Sequence, residues 1–138
     1  MLASFHLEEI LKMKIVTLVA RLLLALIFLI FGSNGFLNFI PMHEMPTGLA
    51  GGYLAALGGT PYFYVVSAIM LIAGLLLLVN RFVPLAITLL GPVLVNILLY
   101  HAFLHPKGFE PGAFAALLWL VLFYAHRAAF AGIFQARS

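Results

Sequence analysis

No carboxylate interrupts the four longest apolar stretches of this chain, about 15–36, 62–79, 82–104 and 112–134. Each is close to the roughly 20 residues a helix needs to cross the hydrocarbon of a bilayer. All four acids, Glu8, Glu9, Glu44 and Glu110, fall outside them. Backbone in lipid must satisfy its own polar groups, so such stretches fold as helices. With 65% hydrophobic and 8% charged residues, the 138-residue chain has room for one domain of four spans and little else. The expected fold is an all-α, integral membrane, antiparallel four-helix bundle.

The connections support this division. Residues 1–14, "MLASFHLEEILKMK", read as an amphipathic interfacial lead-in, with Leu2, Phe5, Leu7, Ile10, Leu11 and Met13 on one side. The stretch "MPTGLAGGYLAALGGTP", 45–61, is uncharged, Gly-rich and too short to span. It predicts a short interfacial helix between the first and second spans. Asn80 and Arg81 make a tight turn, and Pro106 closes the third span, because the residue before a proline leaves the α region. The membrane domain thus covers 15–134, and 135–138 is a polar tail. Lys12, Lys14, Arg81, Arg127 and Arg137 gather on one side of the spans, with Lys107 on the other. The positive-inside rule then places both termini in the cytoplasm.

Composition also excludes function classes. Without cysteine the chain has no thiolate metal site, iron–sulfur cluster or disulfide chemistry. No carboxylate within the spans argues against a proton-coupled pump. Its seven Lys and Arg are scattered rather than interleaved with aromatics, so no nucleic-acid interface is expected. The bilayer is the expected partner, joined by a membrane-complex subunit or a second copy. The small residues Ala125/Ala129 and Ala128/Gly132, each pair four apart, predict close helix packing.

Several polar side chains remain to be placed. His101 and His105 lie at the outer end of the third span, and Asn96 is about 12 Å deeper, sharing a stripe with Tyr100. Asn34 and Asn38 lie at the outer end of the first span. An amide in hydrocarbon needs a partner. For Asn96 that partner is a neighbouring helix or a bound head group such as a quinone carbonyl, with Tyr100 alongside. The candidate ligand-binding set is Asn96, Tyr100, His101, Asn34, Asn38 and Arg21. Arg21 either reaches the cytoplasmic surface to meet lipid phosphate or joins His126 in an anion site. No catalytic residue stands out.

No metal is assigned. His101 and His105 have i, i+4 ligand spacing, and His43 or Glu44 is available as a third ligand, but such an open pattern is weak. A haem held by His101 and His126 is excluded within one protomer, since they lie on the order of 20 Å apart in depth.

The order of features is similar to that of the DoxX family. "ARLLLALIFLIFGSNGFLNF", "GGYLAALGG" and above all "NRFVPLAITLLGPVLVNILLYHAFLHP" resemble its DoxX-like subgroup across about 15–134. Two positions depart from it. Ser67 and Met70 stand where relatives carry an acid, and Asn34, Gly35 and Asn38 where a basic residue is common. The resemblance implies a four-helix protein of the bacterial inner membrane. It implies an accessory subunit, linked through quinone to oxidoreduction of the thiosulfate:quinone type. Quinone is therefore the one cofactor in view. A small-molecule or lipid carrier and a purely structural or assembly factor are the alternatives.

Overall fold

The computed structural model describes residues 1–42 and 44–137. Six α-helices follow in order: α1 Leu2–Leu37, α2 Gly48–Gly58, α3 Tyr62–Leu78, α4 Val83–Phe103, α5 Glu110–Ala125 and α6 Arg127–Phe130. A 3-10 turn, Ala131–Phe134, completes the chain, and no strand occurs among the described residues. α1 and α4 are long and apolar enough to cross a membrane, which marks a membrane protein. The count reaches four if α2 with α3, bent by 79°, and α5 with α6 and the 3-10 turn, bent by 81°, each form one broken span.

The lead-in and the first span are one continuous helix. Nothing between Leu2 and Phe31 is a Gly or Pro, so nothing stops propagation at Lys14. α1 ends where Asn38 turns left-handed, φ 54° and ψ 48°, donating its N–H to the Asn34 carbonyl. The Asn34 side chain then accepts the N–H of Ile40 at 2.7 Å, satisfying the chain as it leaves the helix.

The last stretch differs from the expected span over 112–134. α5 stops at Ala125, and at His126 the chain adopts φ −107°, ψ 18°. The last backbone bond, His126 N–H to the Leu122 carbonyl at 3.0 Å, is kept, and side chains add to the carbonyls at this end. His126 Nδ1 bonds the Leu122 carbonyl at 3.0 Å, and Arg127 donates to that of Tyr124 at 2.8 Å. The expected small-residue faces are broken with it, because Ala125 and Ala129 lie on different helices.

α1 packs on α3, α3 on α4, α4 on α5, and α5 returns to α1, closing a ring. The α1–α3 contact is the most extensive, and small residues make it so. A Cβ added at Gly35 would lie 2.7 Å from Ser67 Cβ, one at Gly32 3.0 Å from Leu71 Cγ, and one at Gly74 3.0 Å from Leu29 Cγ. Contacts descend along α1 as they climb α3, from Phe36 stacked on Tyr64 down to Arg21 at Leu77.

Leu24, Phe28, Leu77, Ile87, Leu90 and Leu122 are fully buried at the centre of the ring. Large apolar side chains also cover the outside, among them Leu26, Ile30, Ile72, Leu75, Val95 and Leu120. Exposed apolar surface on that scale is unsustainable in water and natural in lipid. Between α4 and α5, Trp119 donates its indole N–H to the Ile87 carbonyl at 2.8 Å.

Candidate functional site

At the α4–α5 end the chain folds back on itself around His101. α4 closes with the N–H groups of Leu104 and His105 both donating to the Tyr100 carbonyl, at 2.9 and 3.0 Å. The His105 carbonyl is thereby turned towards His101, whose Nδ1 bonds it at 2.9 Å. Gly108, at φ +79°, completes the reversal, which only a residue tolerant of the left-handed region makes freely. Glu110 and Pro111 then start α5, an acid and a proline both suited to a helix's first turn.

Beside this reversal lies a half-open pocket of about 250 Å³ between α1, α3, α4 and α5. Its walls include Phe28 and Phe31 from α1, Met70 from α3, Ile97 and His101 from α4, and Gly112 from α5. His101 is the one side chain lining it that carries a nitrogen or oxygen atom. Its hydrogen-bonding character follows from its partner. A carbonyl only accepts, so Nδ1 carries the proton in the neutral ring, and Nε2 is left as an acceptor. A nearly apolar pocket lined by one imidazole suits a ring- or chain-like molecule that carries a hydroxyl or another donor.

Tyr100 stands behind His101 rather than in the cavity. Its ring meets His101 edge-on at 5.1 Å, and it lies 5.7 Å from Tyr53 of α2 and 6.1 Å from the His105 ring. These contacts tie α2 and the loop to the end of α4 and hold the imidazole in place. Of the predicted set, Tyr100 and His101 are therefore brought together.

The others are placed elsewhere. Asn96 is exposed and donates to the Pro92 carbonyl of its own helix at 2.9 Å, so it bridges no helices. Asn34 and Asn38 shape the end of α1. Arg21 sits towards the opposite end, donating to the Leu77 carbonyl and, at 3.3 Å, to that of Leu78. Both carbonyls lie in the last turn of α3, where a cation is favourable, and that of Leu77 also accepts the N–H of Asn80 at 3.3 Å.

The HxxxH spacing does not persist as a helical face. α4 ends at Phe103, His105 lies beyond it, and its carbonyl occupies Nδ1 of His101. No group of three or more His, Asp or Glu able to hold a metal occurs among the described residues. His43, one of the two proposed third ligands, lies outside them.

What the sequence does not single out is the lining itself. Phe28, Phe31, Met70 and Ile97 are ordinary apolar residues in apolar helices, and nothing in their pattern separates a cavity wall from a lipid contact. Gly112, at 2.8 Å from a Cβ position to Ile97 Cγ2, is the visible clue: a small residue where α5 meets α4. No family model, curated protein or solved structure matches this chain.

Proposed function

We propose that this protein is a membrane-embedded binding subunit that holds the hydroxylated ring of a quinol-type molecule in the chamber beside His101. Its fold is then an antiparallel four-helix bundle of the DoxX-like kind, in the bacterial inner membrane, with both termini in the cytoplasm. The observation that carries the reading is His101: a single polar side chain in an apolar cavity, its Nδ1 engaged and its Nε2 left to accept. The size agrees. An apolar cavity of about 150 Å³ accepts benzene, so 250 Å³ accommodates a substituted ring.

The acceptor also sets a direction. A quinol hydroxyl can donate to Nε2, whereas the carbonyl of an oxidised quinone has no proton to give to a neutral His101. Reduced ligand is therefore favoured over oxidised. The electron chemistry belongs to the ligand and to a partner subunit; this chain contributes the pocket and a hydrogen-bond acceptor. Asn96 has no part in it.

The test is mass spectrometry of an organic extract from mildly purified protein, alongside quinol and quinone titrations of ligand-free material. Stoichiometric quinol that is lost in His101→Leu, while the variant keeps its helical content, is the expected result. Equal affinity for both redox forms would refute the acceptor argument, and quinol retained in His101→Leu would refute the site.

A further inference from the structure

A second, larger cleft lies at the other end of the helices, about 520 Å³ in volume, where α1, the α3–α4 turn and the α5–α6 break meet. Lys14, Thr17 and Arg21 line it from α1, Asn80 from the turn, and His126 and Arg127 from the break. We propose that this cleft binds a phosphate-bearing anion, with Lys14, Arg21 and Arg127 supplying the charge.

The charge balance leads to this. Glu9 is the one acid at the cleft, and it pairs with Lys12 at 3.8 Å. That is the single ion pair among the described residues, so no carboxylate answers Lys14, Arg21 or Arg127. Three like charges around one cleft repel one another, a repulsion that solvent weakens at the exposed Lys14 and Arg127. A bound anion relieves it.

Donor geometry agrees with a multi-oxygen ligand. Arg21 uses Nη1 on the Leu77 and Leu78 carbonyls, and Arg127 uses Nη1 on Tyr124 while its guanidinium lies 4.2 Å over that ring. Each group is thus held in place with further N–H donors to spare. Thr17 and Asn80 add neutral polar groups beside them.

The setting points to amphiphiles as well as free ions. Ile10, Met13 and Leu18 form an apolar side of the cleft. Past the break, Ile133 and Phe134 are exposed, as Leu2, Phe5 and Leu7 are at the start of α1. A phosphodiester head group with its acyl chains along these residues uses both halves of the site, and inorganic phosphate uses only the polar half.

Native mass spectrometry of the full chain, carrying either phosphatidylglycerol or phosphatidylcholine, tests the proposal. The comparison variant is Lys14→Gln with Arg127→Gln, which leaves the helix-capping Arg21 intact. A phosphatidylglycerol adduct is expected, about thirtyfold weaker once the two charges are removed. Thermal stabilisation by inorganic phosphate over chloride at equal ionic strength, abolished in the same variant, with no preference among lipids, identifies a free phosphate as the source. An adduct of undiminished strength in the variant overturns the proposal. So does equal binding of both lipids together with equal stabilisation by phosphate and chloride.

Discussion

The tight approach of α1 to α3 at Gly35 and Ser67 makes a quantitative prediction. A methyl group at position 35 lies 2.7 Å from Ser67 Cβ and 3.3 Å from Phe63 Cε1. Rotating Ser67 moves its hydroxyl but cannot move its Cβ. Relief therefore requires α1 and α3 to part by nearly 1 Å, since carbon atoms settle at about 3.5–4.0 Å. A gap of that size forfeits a quarter to a half of each dispersion contact along the interface, including Leu71 over Gly32 and Leu29 over Gly74. Overpacking of this kind costs about 1–3 kcal/mol. Helix propensity favours Ala over Gly by up to about 1 kcal/mol, so Gly35→Ala should destabilise by about 1–2 kcal/mol net.

The partner variants make the reasoning specific. Ser67→Gly removes the Cβ that Gly35→Ala strikes, so the double variant should recover most of the loss. Ser67→Ala keeps that Cβ and should not rescue. On its own, Ser67→Ala should be neutral or stabilising, because the Ser67 hydroxyl is fully buried with no hydrogen-bond partner. The assay is reversible unfolding in mixed micelles with rising SDS fraction, followed by helical circular dichroism and read as a double-mutant cycle. Rescue by Ser67→Ala equal to that by Ser67→Gly would refute the steric account, as would a fully stable Gly35→Ala.

Four further outcomes are expected in the same unfolding assay. Arg21→Leu should cost about 1.5–3 kcal/mol, because it strips a charged donor from two terminal carbonyls of α3, and Arg21→Lys should recover part of that. Trp119→Phe keeps the ring stacked 5.3 Å from Phe123 but loses the bond to Ile87, for about 1 kcal/mol. Asn96→Leu should stay within about 0.5 kcal/mol, since its bond is to its own helix on an exposed face; a larger loss would mean that it bridges helices. Phe82 sits at φ 53°, ψ 39°, where a Cβ is strained, so Phe82→Gly should stabilise by about 1 kcal/mol.

Which parts of this structure are legible in the sequence depends on what lipid does to a hydrophobic pattern. Spans ended by backbone chemistry are readable: Asn80 with its left-handed turn before α4, Pro61 before α3, and the Gly-rich α2 that precedes it. The break at His126 is not, because no Gly or Pro marks it within an otherwise apolar run. Helix rotation is harder still. In water a polar face marks the outside, but that guide fails where Leu94 and Val95 are equally apolar and only Leu94 is buried. Asn96 illustrates the consequence. Its amide needs a partner, yet nothing in α4 says which way it faces, and the partner is Pro92 on the same helix. Small residues keep the information that polarity loses. Gly32, Gly35, Gly74 and Gly112 each lie where a neighbouring helix comes close. Where helices are apolar on every face, the side chains that are missing therefore orient them better than those that are present.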